Sequence, residues 1–161
     1  NSMEVPLKYV PKHLNEKDKK KQVKMLKKSK KLYSEKKYYQ RKPVKSFVSK
    51  PSKHVQNAKK MYNVNNIKPD KKLAKATGCS IKAMEKIVKK GQGAYYSSGS
   101  RPNQTAHSWG IARLASAITS GNSAIIDFHI IEKGCDHKKK AFKLAENATK
   151  KRLKKSPKVQ I

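Results

Sequence analysis

The chain has 161 residues, with 41 Lys plus Arg against 10 Asp plus Glu, a formal charge of +31. So one-sided a charge repels itself in a compact chain and calls for counterions or an anionic partner. Two cysteines exclude a disulfide-rich secreted scaffold, and with no apolar run near the roughly 18 residues of a membrane span, a transmembrane helix is excluded too.

Only Arg41, Arg101, Arg113 and Arg152 are arginines; the other basic residues are Lys, a hydrated point charge without the fork that grips a guanine edge. Affinity with little base reading is therefore expected. Residues 1–70 hold 21 basic and 5 acidic groups, 71–137 hold 10 and 4, and 138–161 hold 10 and 1. This distribution places one small domain at 69–137, with a basic arm before it and a basic helix and tail at 138–161. A core that small is marginal alone, so the arms, a partner or an oligomer should complete it.

The opening VPLKYVPKHL carries Pro6 and Pro11 and should run extended. Asn15 then caps a helix through about Tyr33, with Glu16 and Asp18 near its positive end and Val23, Leu26 and Tyr33 in one stripe. Lys covers the rest of that helix, and like charges four apart weaken it unless an anionic surface lies alongside. From Tyr38 to Pro51, aromatic and β-branched residues among Lys suit an extended segment or a linker. A short helix follows over 52–62, with Val55, Ala58 and Met61 on one face.

Residues 70–90 read as two helices: Asp70 to Thr77, a stop at Gly78, a cap at Ser80, and a second helix ending at Gly91. The spacing Leu73-Ala74, Gly78-Cys79-Ser80, Met84 and Ile87-Val88 resembles the helix-turn-helix of bacterial repressors. The exposed positions of the second helix are Lys82, Glu85, Lys86 and Lys89, with nothing suited to reading bases, so a structural hairpin is expected over groove insertion.

Gly91, Gly93 and Gly99, with serines and Pro102, read as a long loop. There Arg101 either contacts phosphate or pairs with a carboxylate such as Asp127, while Tyr95 and Tyr96 plug the core. Thr105 caps a helix to about Ser120 with Ile111, Leu114 and Ile118 in one stripe and Trp109 buried. Ala124 to Ile131 reads as a short buried strand or a loop crossing the core, and 138–155 as a last basic helix with Phe142, Ala145, Ala148 and Arg152 at helical spacing.

The expected fold class is thus mainly α: a small helical domain with a helix-turn-helix-like hairpin, a Gly/Ser-rich loop and room for one or two short strands. Candidate anion or nucleic-acid contacts are Lys19, Lys20, Lys21, Lys27, Lys28, Lys30 and Lys31, then Lys82, Lys86 and Lys89, then Arg101 and Arg113, and finally Lys150, Lys151 and Arg152. Cys79 and Cys135 read as small buried hydrophobes in a reducing compartment. A zinc set from these with His129 and His137 lacks the usual paired spacings, and a triad of His107, Asp127 and a loop serine has no supporting pattern. No catalytic residue, metal or cofactor is expected.

The segment GQGAYYSSGSRPNQTAHSWGIARLASAITSG, followed by DFHIIEKGC, resembles an uncharacterised domain family of large nucleocytoplasmic DNA viruses of algae and amoebae, with distant relatives in tailed phages. For the algal and amoebal members the similarity spans roughly the whole chain, and for the phage proteins about Leu73 to Ile130. It is carried by Gly93, Arg101-Pro102, Trp109, Ala112-Arg113 and Gly121. The resemblance implies a virion protein made in the host cytoplasm. Such a protein would be a minor capsid component, whose partners are other capsid proteins, an anionic inner membrane surface or viral DNA, or it would coat or condense the genome.

Overall fold

Helix starts follow the side-chain caps in the sequence. The Asn15 side chain accepts from the Asp18 amide at 2.8 Å to open α1 (Glu16–Ser34). Ser52 accepts from Val55 to open α2 (Lys53–Tyr62), and Asp70 accepts from Leu73 at 2.8 Å to open α3 (Lys71–Thr77). Ser80 accepts from Ala83 at the head of α4 (Ile81–Ser97), and Thr105 accepts from Ser108 at the head of α5 (Ala106–Ala117). Each oxygen satisfies one of the amides that a first helical turn leaves without a partner. This computed structural model describes residues 2–161, and among them α6 (Asn122–Ile126), α7 (Phe128–Gly134), α8 (Lys140–Thr149) and a two-stranded antiparallel sheet complete a mainly helical fold.

Contacts divide the chain into two units, and the divisions fall elsewhere than at 69 and 137. The first holds Asn1–Lys50, Gln92–Trp109 and Lys155–Ile161; the second holds Pro51–Gly91 and Gly110–Lys154. Unit 1 has 20 basic and 4 acidic residues and unit 2 has 21 and 6, formal charges of +16 and +15. The low charge expected of an ordinary middle domain is therefore not a property of either structural unit.

In unit 1 the expected arms are folded. β1 (Glu4–Pro6) pairs with β2 (Lys158–Gln160), Val5 opposite Val159, and reciprocal Met3 and Ile161 backbone bonds of 3.1 and 2.9 Å extend the ladder. A single 3-10 turn, Leu7–Tyr9, follows. Val5, Tyr9, Val10 and Leu26 form one small apolar cluster, against which Trp109 packs edge-on to Tyr9 with ring centroids 5.8 Å apart. Leu14, Met25 and Val44 form another. Residues 37–50 are irregular but anchored: Val44 gives its amide to the Asn103 side chain at 2.8 Å and takes the Asn103 amide group on its carbonyl at 3.2 Å. Asn103 thus satisfies both backbone groups of Val44, as a neighbouring strand would.

Unit 2 has one larger core built on Leu73, Met84, Ile87, Leu114, Ile118, Ile131 and Phe142, with Ala58, Ala115, Ala117, Ala141 and Ala145 allowing close approach. Three expectations change here. The second helix of the hairpin does not stop at Gly91 but runs to Ser97, so the expected long loop shortens to Ser98–Gln104. A Cβ on Gly91 would lie 2.6 Å from the Gly110 Cα, so this glycine serves a close contact and not a helix end. The stretch Ala124–Ile131 is helical, neither a strand nor a loop, and Asp127, between α6 and α7, turns inward to meet cations of this unit. The last helix ends at Thr149, and Phe142, Ala145 and Ala148 are buried, so it is a core element; Arg152 lies beyond it, exposed.

Gly78, at φ +84, ends α3 in the left-handed conformation the sequence called for. The next residue, Cys79, is disulfide-bonded to Cys135 across an isolated antiparallel bridge. Backbone bonds of 2.8 Å from Ser80 to Gly134 and from Asp136 to Gly78 flank the pair. This corrects the reading of two unreacted thiols, and the cysteines give no support to a reducing compartment.

Candidate nucleic-acid interface

The burial pattern of α1 decides which lysines are presented. At 100° per residue, Asp18, Gln22, Met25 and Ser29 share the buried side, and Lys20, Lys24, Lys27 and Lys31 lie in a ridge diametrically opposite. The buried side is fixed by polar as well as apolar contacts. Ser46 gives both its amide (2.8 Å) and its hydroxyl (2.5 Å) to the Asp18 carboxylate, holding that carboxyl below its ordinary range, and Gln22 donates to the Tyr9 carbonyl at 3.2 Å.

The ridge spans about 16 Å from Lys20 to Lys31, at 1.5 Å per residue, and no carboxylate sits in it. Around it lie Lys17, Lys21, Lys28 and Lys30, all exposed; the pair Glu16 and Lys19, at 3.3 Å, sits at the helix start. Lys19, Lys20, Val23, Lys24 and Lys27 line a shallow surface groove. Lys24 is absent from the set named on sequence, although its spacing of four from Lys20 and Lys28 places it on their face.

Unit 2 repeats this arrangement in small. Lys82, Lys86 and Lys89 are exposed on α4 at spacings of four and three, in one stripe broken only by Glu85 alongside. Lys150, Lys151 and Arg152 are exposed just after α8. No Arg, Asn or Gln joins the α4 stripe, so the hairpin offers charge without the side chains that read base edges.

Arg113 is committed to an ion pair within its own unit. Its Nε and Nη2 grip both oxygens of the fully buried Asp127 at 2.7 and 2.9 Å, and Lys90 adds a third contact at 2.9 Å. Burial raises the Asp127 pKa, but hydrogen bonds and charge from Arg113 and Lys90 outweigh it and hold the carboxyl below its ordinary value. The carboxylate that sequence analysis offered to Arg101 therefore has other partners. Arg101 itself is exposed, and among the described residues no carboxylate lies within ion-pair distance of it.

The buried cation that sequence analysis missed is Arg41. Its guanidinium lies 3.8 Å over the Tyr95 ring and donates to the Ser29 hydroxyl, the Tyr95 carbonyl and the Ser100 hydroxyl, each at 2.8 Å, with no acidic partner among the described residues. Burial lowers its pKa, while Tyr95 and Tyr9 oppose the shift. The signal for it was slight: one arginine in a stretch where every other cation is lysine.

Among the described residues no group of three or more His, Cys, Asp or Glu converges as metal ligands would, and both sulfurs of the imagined zinc set are spent on each other. No helix among them is long and apolar enough to cross a membrane. What the fold and surface define is a small, mainly α-helical and strongly basic protein. A family of unknown function (DUF5824) matches residues 6–129, and the chain belongs to it. No curated protein and no solved structure matches the chain.

Proposed function

We propose that the protein is a non-enzymatic nucleic-acid-binding protein that grips the phosphate backbone of DNA with little regard to sequence. The observation that carries this reading is the carboxylate-free lysine ridge opposite the buried side of α1. A row of ammonium groups about one helical turn apart suits a linear array of phosphates, and each phosphate neutralised releases condensed counterions. Neither the exposed side of α1 nor the α4 stripe carries Arg, Asn or Gln, which argues against base reading by these two surfaces.

A second reading comes from the viral resemblance of residues 91–121: a minor capsid component on the inner side of a particle, its lysines against acidic shell proteins or membrane. The pairing of residues 3–7 with 157–161 favours folded lysine faces over threaded arms as the contact surface. A fixed ratio to a major capsid protein in stripped particles, together with no DNA binding at physiological salt, would support this second reading.

The deciding measurement is fluorescence anisotropy of a labelled DNA duplex with the full chain over a salt series. Log K should fall linearly with log salt, and the triple change Lys20→Gln, Lys24→Gln and Lys27→Gln should reduce the slope by about 2.7. Absence of binding at low salt, or a slope the triple variant leaves unchanged, rejects the proposal.

A further inference from the structure

The end of α1 is built to bring three tyrosines together. Glu35 caps the helix, and Lys36 takes the left-handed conformation at φ 62. The amides of Lys36 and Lys37 then return to the Tyr33 and Leu32 carbonyls at 2.9 and 2.8 Å. This is the bonding pattern of a Schellman motif, with lysine at the position glycine would fill at lower conformational cost. The turn throws Tyr38 back against Tyr33, ring centroids 6.2 Å apart. Tyr96, near the end of α4, completes the group: it lies 4.9 Å from Tyr38 and 6.4 Å from Tyr33, whose ring is parallel to it within 7°.

Support beneath the group is firm. The Ser29 hydroxyl donates to the Tyr96 carbonyl at 3.1 Å, and the Tyr96 ring rests edge-on against Tyr95, which Arg41 covers. Yet the outer surface is open: Tyr38 is 72% exposed and Tyr33 37%. Among the described residues none of the three hydroxyls has a hydrogen-bond partner. So much aromatic surface on a protein this polar is not needed by either small core of unit 1.

Charge selects the ligand. A cluster of tyrosines can hold a quaternary ammonium by cation–π attraction, but here Lys30 stands one helical turn before Tyr33 and Lys36 and Lys37 lie between Tyr33 and Tyr38, while Glu35 in the same stretch is already 3.6 Å from Lys37. A partner that is flat, aromatic and negatively charged fits both features. We propose that Tyr33, Tyr38 and Tyr96 form a stacking platform for unpaired bases of a single-stranded nucleic acid, with Lys30, Lys36 and Lys37 on its phosphates. This deepens the nucleic-acid reading and rests on it: the α1 ridge supplies strand-independent grip, and the platform supplies preference for bases not already stacked in a duplex.

The test uses the full chain with labelled oligothymidylate, an abasic oligomer of equal length and a duplex. Tyr38→Ala should weaken oligothymidylate binding roughly 5- to 150-fold, leave the salt slope and the duplex affinity unchanged, and spare the far-ultraviolet dichroism. Tyr38→Phe should retain tight binding, since the hydroxyl has no partner. Equal affinity of the native chain for abasic and thymidylate oligomers, or an unaltered Tyr38→Ala, overturns the platform while duplex binding leaves the backbone reading standing. Equal weakening of duplex and single strand by Tyr38→Ala also overturns it. Failure of every oligomer to bind at low salt removes both proposals.

Discussion

The two units carry nearly equal charge, yet they are held together by different physics. Unit 2 has one extensive apolar core, a buried ion cluster at Asp127 and a covalent link between Cys79 and Cys135. Unit 1 has two small apolar clusters and relies on polar ties: Asp18 to Ser46, Gln22 to Tyr9, Asn103 to Val44, and Arg41 to three oxygens. A large core can absorb lysine repulsion at its surface, whereas a unit held by directed bonds has less in reserve. The ridge of α1 should therefore be the region whose order answers most directly to salt and to polyanions, and α8 the region least affected.

Removing the disulfide should break this contrast most. Its cysteines are 56 residues apart, and loop-closure entropy for a ring of that size is worth about 4 kcal/mol. Cys79→Ala with Cys135→Ala should lower the urea midpoint accordingly and raise amide exchange in α8 toward that of α1. An unchanged midpoint would show that the link adds nothing to unit 2.

Next in size is Asp127→Ala, which leaves Arg113 and Lys90 facing each other without their acid; disrupting such a cluster costs about 3 kcal/mol. The native carboxyl gives a matching pH dependence. Its pKa is held down in the folded state, so its stabilisation is complete above the ordinary aspartate value of about 3.9 and is lost as pH falls through the lower folded value. Acid titration followed by exchange should show unit 2 losing this acid-dependent contribution in the native chain but not in Asp127→Ala.

The smallest effect sharpens the comparison from the other side. Arg41→Met strands the Tyr95 carbonyl and should cost about 2 kcal/mol, felt in α1 exchange and not in α8. Arg41→Lys should rescue little, because one ammonium cannot span Ser29, Tyr95 and Ser100 as the planar fork does. Equal protection loss in α1 and α8 would mean the units do not melt separately.

Local chemistry made much of the helical layout legible. Asn15, Ser52, Asp70, Ser80 and Thr105 each start a helix where a side-chain oxygen can reach an amide three residues on, and Gly78 ends one where positive φ is needed. What sequence concealed were features set by distant partners. Gly91 read as a stop because its neighbour Gly110 is nineteen residues away, and Ala124–Ile131 read as a strand or a crossing loop because the cations that meet Asp127 belong to other helices. The lysine face of α1 was legible only in part: the stripe of Val23, Leu26 and Tyr33 pointed to one side, whereas the buried side is set by Asp18, Gln22, Met25 and Ser29, three of which are polar and held by partners far along the chain. The cluster of three tyrosines was not legible, since Tyr33 and Tyr38 meet Tyr96 only through a lysine in a conformation its side chain disfavours.

The ridge on α1 has a consequence for how occupancy would look along a genome. On the proposed nucleic-acid reading, ammonium groups without forks or amides would give the protein no preferred register, and bound copies would shift by a nucleotide at little cost. Nuclease footprints would then be even and featureless, growing with protein concentration and polymer length and not with any motif.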